Sequence, residues 1–198
     1  RAGGAMVLGQ PRRGYGIACL SALKWIRQHA RPLPDAVAFV DADLSDDPTL
    51  LPKLWEPIAK NRADLVIGSR PKLAQRGALT LSQRVGNAVA CRLIRSLTKH
   101  RYSDLGPMRV IRWSSLEHLC MQDTTWGWTV EMQYKAALLG LRSADLDVPY
   151  RPRRAGVSKI SGSIVGSARA GLRIIATIFQ LWWRTRGRLR DHGSRDDG

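Results

Sequence analysis

The run Ala36-Val37-Ala38-Phe39-Val40 is wholly apolar and stops at Asp41-Ala42-Asp43. Five apolar residues without alternation leave no face for water, so the run reads as a strand covered on both sides. Leu65-Val66-Ile67-Gly68-Ser69 has the same character. Residues 108–111 and 141–148 read as further strands, and Ala5-Met6-Val7-Leu8 as a strand-like run near the start. Between them the apolar spacing turns helical over 17–29, 49–60, 82–97 and 129–139. Asp47 and Pro48 have the character of an N-cap and first helical position, and Gly140 of a helix stop. Short apolar strands alternating with helices predict an α/β sandwich with a mostly parallel sheet.

The 198 residues suit one domain with a core large enough to fold without staples. Three cysteines lie far apart in sequence, which argues against a disulfide framework and for a reducing compartment. No apolar stretch reaches the ~18 residues of a spanning helix, and no signal peptide is visible. A start at Arg1 rather than Met is read as a fragment or processed chain. The net charge is +16, and positive charge is about three times denser after residue 150 than before it. Such a surface suits phosphates, whether of nucleic acid, nucleotides or anionic lipid heads. Residues 163–183 form a strongly amphipathic helical pattern. Ile164, Ala168, Leu172, Ile175, Phe179 and Trp182 fall on one side, and Arg169, Arg173, Thr177, Gln180 and Arg184 on the other. It suits a membrane surface or packing on its own domain equally well.

Asp41 and Asp43 are the main chemical signal. On an extended backbone, side chains two apart point the same way. They would converge at the carboxyl edge of the sheet, where open α/β folds bind ligands. Mg and Mn take oxygen ligands from one or two carboxylates plus substrate phosphates, so D-x-D at a strand end suits a metal–diphosphate site. Asp pairs also cap helices and fill turns. The four histidines lack H-E-x-x-H spacing, which argues against zinc. Trp126 and Trp128 either line a sugar site or pack, with packing favoured.

Five segments, FVDADLSDDP, DLVIGSR, SDLGPMRVIR, WTVEMQ and VPYRPRRAGVSKISG, occur in an order that resembles glycosyltransferase family 2. The nearest subgroup is the dolichyl-phosphate mannosyltransferase-like, or polyprenyl-phosphate sugar transferase, group. The resemblance implies a GT-A fold, a Rossmann-like α/β sandwich, with a catalytic domain over 1–162. A membrane-surface helix over 163–185 and a basic flexible tail over 186–198 would follow. Asp41 and Asp43 match the metal-binding D-x-D that holds the nucleotide-sugar diphosphate with Mg or Mn. Asp104 and Glu131 match acidic residues beside the reacting sugar and complete the implied catalytic set. Ser69, Arg70, Arg76 and Arg109 match positions near sugar and acceptor. Arg154, Ser158 and Lys159 match a late phosphate-contacting segment, and Gly14 and Gly16 a glycine-rich loop. Two departures stand out. Ser45 occupies the place where the subgroup often has Gln as a further metal ligand. Family members begin with a strand carrying P-x-x-N-E and a second strand ending in an Asp-rich turn that grips the base and ribose; neither is present before Arg1, so an incomplete base pocket is expected.

The implied reaction is inverting transfer of a hexose from GDP-mannose- or UDP-glucose-type donors to polyprenyl or dolichyl phosphate, peripheral at the cytoplasmic face of the membrane. Three other readings stand beside it: the same chemistry on a glycan or small soluble acceptor, a non-catalytic basic nucleic-acid-binding domain, and a folded but inactive fragment. Carboxylates repel a polyphosphate unless a cation bridges them, so the D-x-D argues against a nucleic-acid partner.

Overall fold

The structure is a computed structural model that describes residues 4–152 and 174–184. In chain order the elements are α1 (Tyr15–His29), β1 (Ala36–Phe39), a 3-10 turn (Pro48–Leu50) running into α2 (Leu51–Ala59), β2 (Leu65–Ser69), α3 (Leu81–Thr98), β3 (Arg109–Arg112), α4 (Trp113–Leu119), α5 (Trp128–Leu138) and β4 (Ser143–Asp147). A last helix, α6, covers 174–184.

The sheet order is β1-β3-β2-β4. β1, β2 and β4 run one way, and β3 lies between β1 and β2 against both. The sheet is therefore mixed: three strands share a direction, but two of the three pairings are antiparallel. The reversal follows from the connection. α3 leads away from the end of β2, and segment 99–108 brings the chain back before β3 begins. On that return Gly106 lies against Gly68, where an added Cβ would sit 2.2 Å from the Gly68 carbonyl oxygen. A pattern of apolar runs carries no sign of strand direction.

Side chains alternate across the sheet. Leu65, Ile67 and Ile111 join the larger core with Ala90, Ile94, Trp128 and Met132, while Val66 and Val110 join the smaller one with Leu54, Ile58 and Val148. Both faces are covered along β2 and most of β3; β1, at the sheet edge, has no fully buried residue and leaves Ala38 exposed, so its apolar run is not covered on both sides. Asp47 caps the turn before α2, its side chain accepting from Thr49 N. Thr80 and Gln83 form a capping box at the start of α3.

Two expectations are corrected. Met6 and Val7 are 69% and 72% exposed and belong to no strand, since nothing among the described residues pairs with them. In α6 the buried residues are Thr177, Ile178 and Leu181, while Phe179 and Trp183 face solvent. The buried stripe is thus rotated from the one the wheel predicted. Gly127 is the reason: it lets α6 approach so closely that an added Cβ would lie 2.9 Å from Thr177 Cγ2. α4 carried no clear sequence signal. The part of the amphipathic pattern over 163–173 and the tail over 185–198 lie outside the described residues.

Candidate functional site

Beyond β1 the chain does not stay extended. It turns at Ala42 and Asp43, and Leu44 adopts a positive φ of 63°. Asp43 Oδ1 accepts from Ser45 N at 3.0 Å, which closes the bend. The argument from an extended backbone therefore fails, although both aspartates remain at the strand-end edge and half-buried. The bend turns Ser45 and Asp46 inward, at 1% and 4% exposure. Ser45 O accepts from Arg151 N at 3.0 Å, which pins the bend to the segment after β4. Neither the Ser45 hydroxyl nor either Asp46 carboxylate oxygen has a hydrogen-bond partner, and the Ser69 hydroxyl at the end of β2 is in the same state.

Charge around Asp46 is unbalanced. Burial raises its carboxyl to about 6; Arg70 pulls the other way, and Asp41, Asp43 and Asp104 push further up. Among the described residues Asp41, Asp43 and Asp104 thus act on Asp46 from one side and Arg70 from the other, and Arg70 is already engaged. Arg70 Nε and Nη2 reach the two Asp104 oxygens at 2.7 and 3.0 Å, and Arg70 N adds a third bond at 3.0 Å. Burial opposes the Arg70 charge, but hydrogen bonding to Asp104 together with the attraction of Asp104, Tyr150 and Asp46 outweighs it and holds the guanidinium above its ordinary range. The same guanidinium lies 5.1 Å over the Tyr150 ring.

Several predicted site residues are framework. Asp104 is 1% exposed, bonded by Arg70, and its carbonyl accepts from Gln133 Nε2 at 2.8 Å. Arg109 is not a surface cation awaiting a phosphate: it is wholly buried and donates to the carbonyls of Thr129, Leu105 and Gly106. Burial lowers its pKa. A cation that ties the 104–106 loop to α5 was predicted as a ligand because sequence shows charge but not its destination. Glu131 is 2% exposed; it accepts from Gln122 N and Asp123 N and pairs with Lys135 at 2.7 Å. It therefore holds the 122–125 loop. Gly14 and Gly16 dock α1 on that loop: Gly16 N and Ile17 N donate to Thr125 O and Thr124 O, both at 3.0 Å. A Cβ at Gly16 would lie 2.0 Å from Asp123 O. These amides are spent on the chain itself.

Arg76 is exposed in the loop after β2. Trp128 packs wholly buried beside Phe39, whereas Trp126 is 54% exposed. Arg154, Ser158 and Lys159 lie outside the described residues. Asp46 was missed by the sequence reading; its signal was a third carboxylate within seven residues of the end of β1. The carboxylates of this edge are hard oxygen donors of the kind Mg or Mn takes. Among the described residues no three ligating side chains already converge on one point. The remaining positions around such an ion would belong to ligand phosphates and water.

A mixed α/β sheet with an acidic bend at its strand-end edge is the architecture of sugar-nucleotide transferases of the GT-A type, and the comparisons agree. Residues 3–119 match the glycosyl transferase family 2 model, and the chain belongs to that family. It is 40% identical over 181 residues to an uncharacterized glycosyltransferase of Mycobacterium tuberculosis, covering 90% of this chain and 75% of the relative. It is 29% identical over 160 residues to an undecaprenyl-phosphate mannosyltransferase of Micrococcus luteus, covering 78% and 64%. Among solved structures, glucosyl-3-phosphoglycerate synthase from Mycobacterium tuberculosis, in complex with Mn2+, UDP and phosphoglyceric acid, superposes with a TM-score of 0.61 at 16% identity. That match covers 88% of this chain and 56% of the synthase. The chain thus spans little more than half the length of that solved neighbour.

Proposed function

We propose that this chain handles the donor in a metal-assisted, inverting transfer of a hexose from a nucleotide diphosphate sugar to a polyprenyl or dolichyl phosphate. The observation that carries the reading is the acidic bend at 41–46, in which Asp46 is buried with neither carboxylate oxygen paired, in a family 2 chain. A buried carboxylate without a partner is unfavourable until a ligand arrives. Asp41 and Asp43 would hold the ion. When bound, Mg or Mn neutralises the diphosphate on which negative charge builds as the sugar departs.

In the reaction the bond between the anomeric carbon and the diphosphate oxygen breaks, and a bond to an acceptor phosphate oxygen forms on the opposite face. The fate of Asp104 and Glu131 supports a phosphate acceptor. Both carboxylates matched as catalytic are buried and committed to other groups, so neither is free to take a proton from an alcohol. A phosphate monoester has a second pKa of ~6 and is already an anion at neutral pH, so it needs no general base. What it needs is cationic surface. Arg76 is exposed near the site, and Arg154, Ser158 and Lys159 are assigned the same task. The Micrococcus relative, named for an undecaprenyl-phosphate activity, and the exposed Phe179 and Trp183 of α6 support a lipid acceptor at a membrane surface. No helix among the described residues is long and apolar enough to cross a membrane.

The test is transfer of labelled hexose from GDP-mannose and UDP-glucose to undecaprenyl phosphate, with Mg or Mn. Asp41→Ala and Asp43→Ala are expected to lower the rate by about a hundredfold or more each. Undiminished turnover in both variants overturns the assignment. Liposome co-sedimentation tests the acceptor separately: loss of binding on truncation at residue 162 supports the lipid, and no binding by either form supports a soluble acceptor.

A further inference from the structure

Three buried acceptor groups without partners stand together in the chain's logic. The Ser45 hydroxyl and the Asp46 carboxylate lie on the inner side of the bend after β1, and the Ser69 hydroxyl closes β2, two strands away across β3. Arg70, next to Ser69, is close enough to Asp46 that each shifts the other's protonation. Among the described residues the other buried carboxylates are saturated: Asp104 takes three bonds from Arg70, and Glu131 takes backbone amides and Lys135. A buried carboxylate with both oxygens unpaired costs the free protein stability. A fold that satisfies its other buried acids has no structural use for this one.

We propose that Asp46, next to Ser45 on the inner side of the bend, is a binding residue that accepts hydrogen bonds from O–H donors of the bound donor substrate. A carboxylate only accepts. The acid-rich surroundings exclude a second anion, and the enclosed position excludes a bulky cation. What fits is a small neutral donor, and two sources carry that chemistry. One is the hydroxyls of the transferred hexose; the other is water held on the divalent ion. The inference rests on the donor reading above. It is separable from that reading, because Asp41 and Asp43 bear on the ion and the diphosphate while Asp46 bears on hydroxyl or water hydrogens.

The experiment uses the whole chain and calorimetric binding, with thermal unfolding alongside. The titrants are Mn2+ alone, then UDP or GDP with Mn2+, then UDP-glucose or GDP-mannose with Mn2+. Asp46→Asn keeps the shape but removes charge and one acceptor. Expected is about a tenfold loss of affinity for at least one titrant, together with a higher melting temperature of the ligand-free protein. A loss confined to the sugar-bearing titrants assigns the hexose hydroxyls. An equal loss already present with Mn2+ alone assigns the ion's water. Ser69→Ala is expected to weaken the same titrant less. Unchanged affinities in Asp46→Asn overturn the inference, since Asp46 then faces only ordered solvent. A lowered melting temperature also overturns it, since the carboxylate is then a structural support. Failure of the wild-type chain to bind any titrant overturns the donor reading and this inference with it. Because the predicted changes run in opposite directions, a misfolded variant cannot imitate them.

Discussion

The two edges of the sheet treat their aspartates in opposite ways. Asp64, just before β2, accepts from Arg142 N, Nε and Nη2 at 3.1, 2.9 and 2.8 Å, and Arg112 Nε stands 3.5 Å away. Hydrogen bonding to Arg142 holds its carboxyl below the ordinary range. Asp46, beyond the other end of β1, has no hydrogen-bond partner, and burial among like charges holds it above that range. One edge is finished by folding: Arg142 ties the start of β4 to β2, and Arg112 ties the end of β3 to both. The other edge is left chemically incomplete. The difference teaches where stability was gained and where it was given up for binding.

The most severe way to break the contrast is at the Arg70–Asp104 pair on the acidic edge. Asp104→Ala strands a buried guanidinium, and unfolding in urea is expected to show a loss of about 3–5 kcal/mol. If the loss is below about 1 kcal/mol, the pair is not what holds the 104–106 loop. Next comes Asp64. Asp64→Ala is expected to cost about 1–3 kcal/mol, with a pH signature. A depressed carboxyl contributes stability that is complete above its unfolded pKa and declines as pH falls through the folded one. Wild type should therefore lose stability on acidification more steeply than Asp64→Asn; parallel curves would refute the clamp. The smallest effect has the opposite sign. Asp46→Asn is expected to stabilise the ligand-free chain by about 1–2 kcal/mol at pH 7. A raised carboxyl costs stability as pH rises from its unfolded value through about 6, so the advantage of the variant should vanish near pH 4. An advantage that persists there would point to a cause other than charge.

Strand positions and the acidic edge were legible because they depend on local pattern: an apolar run that ends in carboxylates marks a strand and its acidic end, although it did not show that β1 lies at the sheet edge with Ala38 exposed. The shape of the bend was not. It needs Leu44 at positive φ and the Asp43 side chain closing on Ser45 N, neither of which spacing predicts. Assignments of the cations failed for a different reason. Arg70 meets an acid 34 residues away, and Arg109 meets carbonyls on a neighbouring loop and helix. A residue's charge is visible in sequence, but whether it is spent inside is decided by tertiary contacts. The glycines at 14 and 16 were legible as a special loop, but not that they admit a loop of the chain itself.

The backward course of β3 also governs where this domain tolerates insertion. Since that strand is entered from the acidic edge, its lead-in at 104–108 is pinched between Gly68 and the helix carrying Gln133. Extra residues there would pull Asp104 off Arg70. Connections on the far side, such as the one near Gly140, border no such pinch. Length variation among relatives should therefore accumulate there, leaving the two ends of one sheet to diversify at different rates.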